Sequence, residues 1–186
     1  MNACVKHQAD YIRGQYPELL QSIIYNEVWL LELENPAVES EKISFLEPML
    51  KSGSEFKITN NIGEILSRTN MSEDKEQQYL AFTHWFVEST EGKIAVADLQ
   101  GIGDTLMDPT LITGSTKLDR HCDLFCNANF KEGAIKKLIS GHTCNDICHQ
   151  MGLKACDGWN NPYNTDDQSV LEISKINKIS NISNLN

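Results

Sequence analysis

Residues 93–104 read KIAVADLQGIGD, an apolar run followed by a carboxylate, an amide and a glycine-containing segment. Residues 93–99 have the composition of a buried strand, and residues 100–104 are predicted to form a loop. Asp98 lies near the end of this strand, and Gln100 should project to the same side because strand side chains alternate. The stretch therefore predicts a buried strand that presents polar side chains at its end.

A second carboxylate, Asp108, follows Asp98 closely and immediately precedes Pro109. Two carboxylates and an amide near one strand end suit a site for Mg²⁺ and a nucleotide, because Mg²⁺ takes oxygen ligands and bridges phosphates. One carboxylate can also orient or deprotonate a hydroxyl nucleophile. The alternative is that Asp108 is an ordinary turn residue and that residues 101–104 form an ordinary loop. Spacing alone favours this alternative.

Helices and short strands are predicted on both sides of this stretch. The predicted helices cover residues 3–24 with a break near Pro17, residues 72–87 with Gly92 as the C-terminal cap, residues 132–140 and residues 145–151. The predicted strands cover residues 27–34 and 42–49 as an antiparallel pair, and residues 51–72 are predicted to be a loop. The pattern indicates an α+β domain over residues 1–155, followed by a polar and mostly disordered tail at 156–186.

Charge and hydropathy exclude several classes of protein. The 186-residue chain has a formal net charge of −10 and no basic face, which argues against a nucleic-acid partner. It has no apolar run long enough for a membrane segment, and its polar first residues lack a signal peptide, so a cytoplasmic location is expected. The acidity indicates either a solvated surface or a preference for basic protein partners, and composition favours a solvated surface.

Two of the six cysteines lie beside a histidine at metal-ligand spacing, as His142, Cys144 and Cys148 in the pattern H-x-C-x-x-x-C. Zinc takes four such ligands in a tetrahedron. His84, on the apolar face of an earlier helix, is the fourth candidate, with His149 as a rival that should point elsewhere. The alternative is a satisfied core histidine beside buried free cysteines. Spacing alone does not separate a metal site from such a core.

Five segments in this order resemble the alpha-type (atypical) protein kinase family. They are AFTHW at residues 81–85, ADLQGIGD at 97–104, MDP at 107–109, NAN at 127–129 and HTCNDIC at 142–148. The family includes channel-fused kinases of the melastatin type, myosin heavy chain kinases and elongation factor kinases, and the channel-fused branch is most similar. The resemblance covers residues 8–153, and five ordered motifs are far more specific than any one of them.

The resemblance implies a two-lobed kinase fold, with a partial small lobe and hinge over residues 1–50 and a large lobe with a structural zinc over residues 51–155. It implies a serine/threonine protein kinase that uses ATP and Mg²⁺ and acts on a protein substrate. The negative charge of the chain is compatible with a basic substrate sequence, although composition alone favours a solvated surface.

Site residues follow from the same resemblance, position by position. The zinc ligands are His84, His142, Cys144 and Cys148. Asp98 matches the catalytic aspartate, Gln100 joins it in holding Mg²⁺, and Asp108 matches the acidic residue near the transferred phosphate. The nucleotide contacts are Glu47 and Met49 in the hinge, with Lys57 as a further candidate, and the substrate loop contains Asn127, Ala128 and Asn129.

Two departures from the family pattern leave other functions open. The family carries an ATP-binding lysine on a strand before its first helix, and because this sequence begins at that helix, we expect those strands to be absent. Cys126 and Lys131 also stand where the family has glycines. These departures favour a pseudokinase or kinase fragment that acts as a nucleotide-binding or interaction module. A third interpretation, a small zinc module without phosphate chemistry, requires the match around Asp98 to be accidental.

Overall fold

The computed structural model describes residues 2–34, 37–38, 42–50, 53–66, 71–114 and 130–156. Within these ranges the chain is a mixture of helices and short antiparallel strands, so the predicted α+β class is confirmed. The elements in chain order are α1 (Asn2–Gln15), β1 (Trp29–Glu32), β2 (Ile43–Leu46), β3 (Glu55–Lys57), α2 (Glu73–Ser89), β4 (Ile94–Ala97), β5 (Gln100–Ile102), β6 (Thr105–Met107), β7 (Thr110–Thr113), α3 (Lys131–Gly141) and α4 (Asp146–Gln150).

Strands β4 to β7 form one antiparallel ribbon that is interrupted midway. Pairing of β4 with β7 ends at Ala97 opposite Thr110, and pairing of β5 with β6 begins at Gln100 opposite Met107. At the interruption Asp98 and Asp108 have φ angles of 57° and 47°. Because residues with a Cβ rarely adopt positive φ, these two aspartates mark a sharp change of direction on both strands. The two halves of the ribbon accordingly belong to different sheets.

The prediction of a loop at residues 100–104 was wrong. Gln100–Ile102 is strand β5, and only Gly103 and Asp104 remain as the two-residue turn of a hairpin. A glycine at the first position of such a turn supplies the positive φ that tight hairpins require, and Gly103 has a φ of 62°. The dipeptide Gly-Asp was therefore a hairpin signal that the surrounding glycines obscured.

The prediction of a loop at residues 51–72 was also wrong in part, because residues 55–57 form strand β3, which pairs with β5. Phe56 lies opposite Gly101, where a Cβ would come within 2.8 Å of the Phe56 ring and would clash with the Thr105 carbonyl oxygen. The Phe56 ring stacks on Tyr79 of α2 at 5.6 Å. Glycine at position 101 thus lets the three-stranded sheet pack closely on the long helix.

The helix boundaries differ modestly from those predicted. Helix α1 ends at Gln15, before Pro17, instead of extending to residue 24. After α2, Glu91 adopts the left-handed conformation at φ 54°, and the Gly92 amide donates to the Val87 carbonyl at 2.8 Å. This is a Schellman-type end in which Glu91, not the predicted Gly92, is the first residue with positive φ.

The core has two parts that meet at β4. Ile94 and Val96 pack with α1, α2 and α4, whereas Ala95 and Ala97 pack with α3 and β7. Burial on both faces explains why this strand is a continuous apolar run. In contrast, β1 and β2 form a separate two-stranded sheet whose side chains are mostly exposed. None of the helices in the described ranges has the length and apolar character needed to cross a membrane.

Candidate active site and metal centre

Asp98, Gln100 and Lys57 form a polar cluster at the interruption of the ribbon. The Lys57 Nζ atom lies 2.5 Å from Asp98 Oδ1 and donates to Gln100 Oε1 at 3.0 Å. Gln100 Nε2 in turn donates to Asp98 Oδ2 at 3.3 Å. The Asp98 side chain is 15% exposed, so its carboxylate is largely withdrawn from water while both oxygens have polar neighbours. Three residues singled out from the sequence are therefore brought together.

Asp108 lies at the same interruption on the opposite strand. Extending the register between the two paired halves sets Asp108 opposite Leu99, next to Asp98 along the ribbon. Asp108 is exposed. One partly buried and one exposed carboxylate therefore occur where the ribbon changes direction, and an exposed carboxylate remains accessible to a bound cation or phosphate group.

The backbone at this interruption is anchored by buried hydrogen bonds. The Leu99 amide donates to Thr59 Oγ1 at 2.9 Å, and the Ile58 amide donates to the Leu99 carbonyl at 2.8 Å. Leu99, Ile58 and Thr59 are fully buried. An unsatisfied buried amide costs about 1–3 kcal/mol, so Thr59 helps to hold Asp98 in its strained conformation. Sequence analysis missed Thr59, since a threonine in a polar loop carries no distinctive pattern.

The predicted hinge residues are connected to the ribbon through Asn26. Asn26 Nδ2 donates to the Pro48 carbonyl at 3.0 Å and to Glu47 Oε2 at 3.5 Å. The Asn26 amide donates to the Leu106 carbonyl at 2.8 Å. Met49 is exposed. Asn26, which the sequence analysis did not identify, therefore links the segment of Glu47 and Met49 to strand β6.

Histidine and cysteine side chains converge between α2, the end of α3 and α4. Cys144 Sγ lies 3.8 Å from His84 Nδ1, and Cys148 Sγ lies 3.4 Å from His142 Nε2. The rings of His84 and His142 are 5.0 Å apart, and both residues are buried. The four predicted zinc ligands are therefore neighbours, whereas the rival His149 is exposed.

The chemistry of this cluster fits a metal ion. Burial lowers the pKa of His142 to about 4, with a smaller contribution from His84, so the imidazole is neutral and able to act as a ligand. His142 Nδ1 is buried and has no hydrogen-bond partner among the described residues. Burial raises the pKa of the Cys148 thiol to about 11, so its ligating thiolate form needs a nearby positive charge. A bound cation would supply this charge.

Sequence analysis missed a fifth member of the cluster, Cys156. Its Sγ atom lies 3.3 Å from His84 Nε2, and the residue is buried although it was assigned to the start of the polar tail. The donor atoms of His84, His142, Cys144 and Cys156 all lie within 4.8 Å of one another. Cys156 belongs to no short ligand motif, so only the tertiary structure reveals it. The predicted substrate-loop residues Asn127, Ala128 and Asn129 lie outside the described residues.

Comparison with known proteins places these residues in a family. The sequence profile of the alpha-kinase family matches residues 6–148. The human channel protein "Transient receptor potential cation channel subfamily M member 7" is 42% identical over 98 residues, which are 52% of this chain and 5% of that protein. Myosin heavy chain kinase A of Dictyostelium discoideum is 32% identical over 129 residues, which are 67% of this chain and 10% of that protein.

Solved structures show the same fold. The alpha-kinase domain of myosin-II heavy chain kinase A in complex with adenosine matches with a TM-score of 0.62 and 24% identity. The match covers 83% of this chain and 54% of that domain. The same domain has also been solved in complex with AMP-PNP, and it matches with a TM-score of 0.56. Since the family profile spans most of the sequence, the chain belongs to the alpha-kinase family.

Proposed function

We propose that this chain carries the phosphotransfer part of an alpha-type serine/threonine protein kinase that uses ATP and Mg²⁺. The observation that carries this proposal is the contact of Asp98 with Lys57 and Gln100 at the ribbon interruption that also bears Asp108. Membership of the alpha-kinase family supports the reaction type. A protein substrate with basic residues near the acceptor hydroxyl agrees with the net charge of −10.

Each polar residue has a distinct part in this proposal. Asp98 accepts a hydrogen bond from the substrate hydroxyl and orients it, and oxygen atoms of Asp98 and Gln100 would hold Mg²⁺. Lys57 contacts the Asp98 carboxylate and offers its ammonium group to phosphate oxygens. Asp108 lies on the exposed side, near the transferred phosphate. When bound, Mg²⁺ neutralises charge on the phosphate oxygens during transfer.

The remaining predicted residues frame the nucleotide and the substrate. Glu47 and Met49 contact the adenine from the hinge, and the segment is positioned by its hydrogen bonds with Asn26. Asn127, Ala128 and Asn129 contribute to the substrate loop. These sites all belong to the domain proposed for residues 1–155. Residues 156–186 are the proposed tail, and its first residue, Cys156, is buried against the domain.

We also propose that zinc stabilises the large lobe and takes no part in phosphate transfer. Four ligands from His84, His142, Cys144 and Cys148 would leave no open position for water, as in structural zinc sites. These ligands join α2 to the end of α3 and to α4. Such a site fixes the packing of three helices around β4.

The test of the kinase proposal is transfer of radiolabelled γ-phosphate from ATP to a basic peptide library by the purified chain. We expect Mg²⁺-dependent incorporation into peptides with serine or threonine acceptors, and none into peptides in which alanine replaces the acceptors. Calorimetry with ATP and Mg²⁺ on the same preparation separates binding from transfer. Binding without incorporation into any peptide would contradict the proposed kinase activity.

That outcome would favour the second candidate function, a nucleotide-binding or interaction module that has lost phosphotransfer. The sequence feature that favours this alternative is the pair Cys126 and Lys131, where the family carries glycines. Glycine lets a backbone approach a substrate closely, and residues with a side chain allow this less readily. Efficient phosphorylation of the peptides would exclude it.

A further inference from the structure

The histidine and cysteine cluster contains five potential donors, one more than a tetrahedral ion can use. Three cysteines surround two imidazoles: Cys144 faces His84 Nδ1, Cys156 faces His84 Nε2, and Cys148 faces His142 Nε2. Zinc binds four ligands at about 2.0–2.3 Å, which separates adjacent ligand atoms by about 3.3–3.8 Å in a tetrahedron. The sulfur–nitrogen distances of 3.8, 3.3 and 3.4 Å fall within this range, but the first two are to opposite nitrogens of His84. Only one of these nitrogens can bind a given ion, so convergence on a single ion rests on the four donor atoms that lie within 4.8 Å of one another.

Two overlapping sets of four ligands can be drawn from these five residues. One set combines His84 with the three residues of the H-x-C-x-x-x-C pattern, the last of which is Cys148. The other contains Cys156 in place of Cys148, and its four donor atoms all lie within 4.8 Å of one another. His84, His142 and Cys144 are common to both sets. Cys148 and Cys156 are therefore rivals for a single position.

Cys156 is fixed in place by its surroundings. The Leu153 amide donates to the Cys148 carbonyl at 3.0 Å, and the Lys154 amide donates to Glu88 Oε2 at 2.8 Å. The same Glu88 oxygen lies 3.7 Å from His84 Nε2. Cys156 itself is 6% exposed and packs in the core cluster that also contains β4 and α3 residues. The segment that carries Cys156 is thus held against the α2 histidine by hydrogen bonds as well as by apolar contact.

We propose that Cys156 is a fifth metal donor and that either Cys148 or Cys156 completes the tetrahedral zinc site. The proposal rests on the zinc site described under Proposed function and extends it to a residue outside the H-x-C-x-x-x-C pattern. Because three ligands are shared, losing one rival cysteine leaves a complete set of two imidazoles and two thiolates. Binding through Cys156 would also attach the segment after α4 to the metal ion.

The test measures bound zinc per chain and competition for zinc by a chromogenic chelator in the full chain. The variants are Cys148→Ala, Cys156→Ala and the double variant, with Cys4→Ala of α1 as a matched control. Each single variant should retain one zinc per chain, with its dissociation constant raised roughly tenfold. The double variant should bind zinc at least about a hundredfold more weakly than either single variant, and the control should match the unaltered chain.

Cobalt(II) substitution gives a second readout, because its sulfur-to-metal absorption requires ligating thiolates. Cys148→Ala should keep this absorption, and adding Cys156→Ala should abolish most of it. Loss of all metal in Cys148→Ala with unchanged binding in Cys156→Ala would overturn the proposal, as would full retention in the double variant. If Cys148→Ala does not fold by circular dichroism, Cys148→Ser replaces it under the same criteria. A wild-type chain without metal would instead refute the zinc site itself.

Discussion

Asp98→Asn should reduce kcat for peptide phosphorylation by about 10²–10⁴-fold, the range for removing a group that assists proton transfer. Asparagine preserves the size of the side chain and can keep the contact with Gln100, but it removes the negative charge that orients the hydroxyl and faces Lys57. The affinity for ATP should fall less than kcat, because the variant weakens one Mg²⁺ ligand but leaves the adenine contacts of Glu47 and Met49 in place. The measurement is steady-state kinetics with a fixed peptide and varied ATP.

Asp104→Asn provides the matched control for this variant. Asp104 lies in the turn of the same ribbon, and its carboxylate is 77% exposed and contacts Lys75. Exposed ion pairs contribute about 0–1 kcal/mol, so this variant should keep kcat within roughly twofold of the unaltered chain. Equal losses in both variants, or a fully active Asp98→Asn, would contradict the role given to Asp98.

Removal of zinc should destabilise the domain strongly. The cluster joins α2, α3 and α4 around the core, and metal-binding energy in such sites contributes directly to folding. If removal costs about 4 kcal/mol, the melting temperature of a chain of this size should fall by roughly 8–16 °C. Calorimetric melting before and after treatment with a strong chelator measures the change, and added zinc should restore the original curve.

His84→Ala and His149→Ala separate metal loss from general effects of the chelator. His84 is buried within the cluster, whereas His149 is exposed on α4. The His84→Ala protein should melt at a lower temperature and show no further response to the chelator. The His149→Ala protein should melt and respond like the unaltered chain. An unaltered chain that contains zinc but melts identically without it would refute the stabilising role.

The parts of the fold that local patterns specify could be predicted from the sequence. Strand β4 is buried on both faces, so its four apolar residues form the continuous run that is typical of a fully buried strand. The antiparallel pairing of β1 with β2 was predicted from two apolar runs separated by a polar segment, and it is confirmed. The neighbourhood of His142, Cys144 and Cys148 follows from their spacing across the junction between α3 and α4.

The features that sequence analysis missed depend on tertiary contacts. Strands β3, β5 and β6 have only three residues each, too few for alternation to distinguish them from a glycine-containing loop. Asp98 and Asp108 adopt positive φ where the ribbon passes from one sheet to another. Aspartate tolerates this conformation better than most residues, but that preference alone does not locate the change of sheet. Thr59 and Cys156 reach the two sites from segments distant in sequence.

The sequence nevertheless predicted a candidate site at Asp98 and Asp108, although for a reason that the structure does not support. Alternation along one continuous strand was the reason for placing Gln100 beside Asp98. In the structure β4 and β5 belong to separate sheets, and the two side chains meet because the chain turns at Asp98. The prediction of their proximity was confirmed, but the reason given for it was wrong.

The most direct measurement of the central claim is paramagnetic broadening of backbone amide NMR signals by Mn²⁺ bound with AMP-PNP. Mn²⁺ replaces Mg²⁺ at oxygen ligands, and the same complex with Mg²⁺ is the diamagnetic reference. The amide signals of residues 97–100, 107, 108 and 110 should broaden most. Sharp signals from both segments, with broadening concentrated elsewhere in the domain, would contradict the central claim.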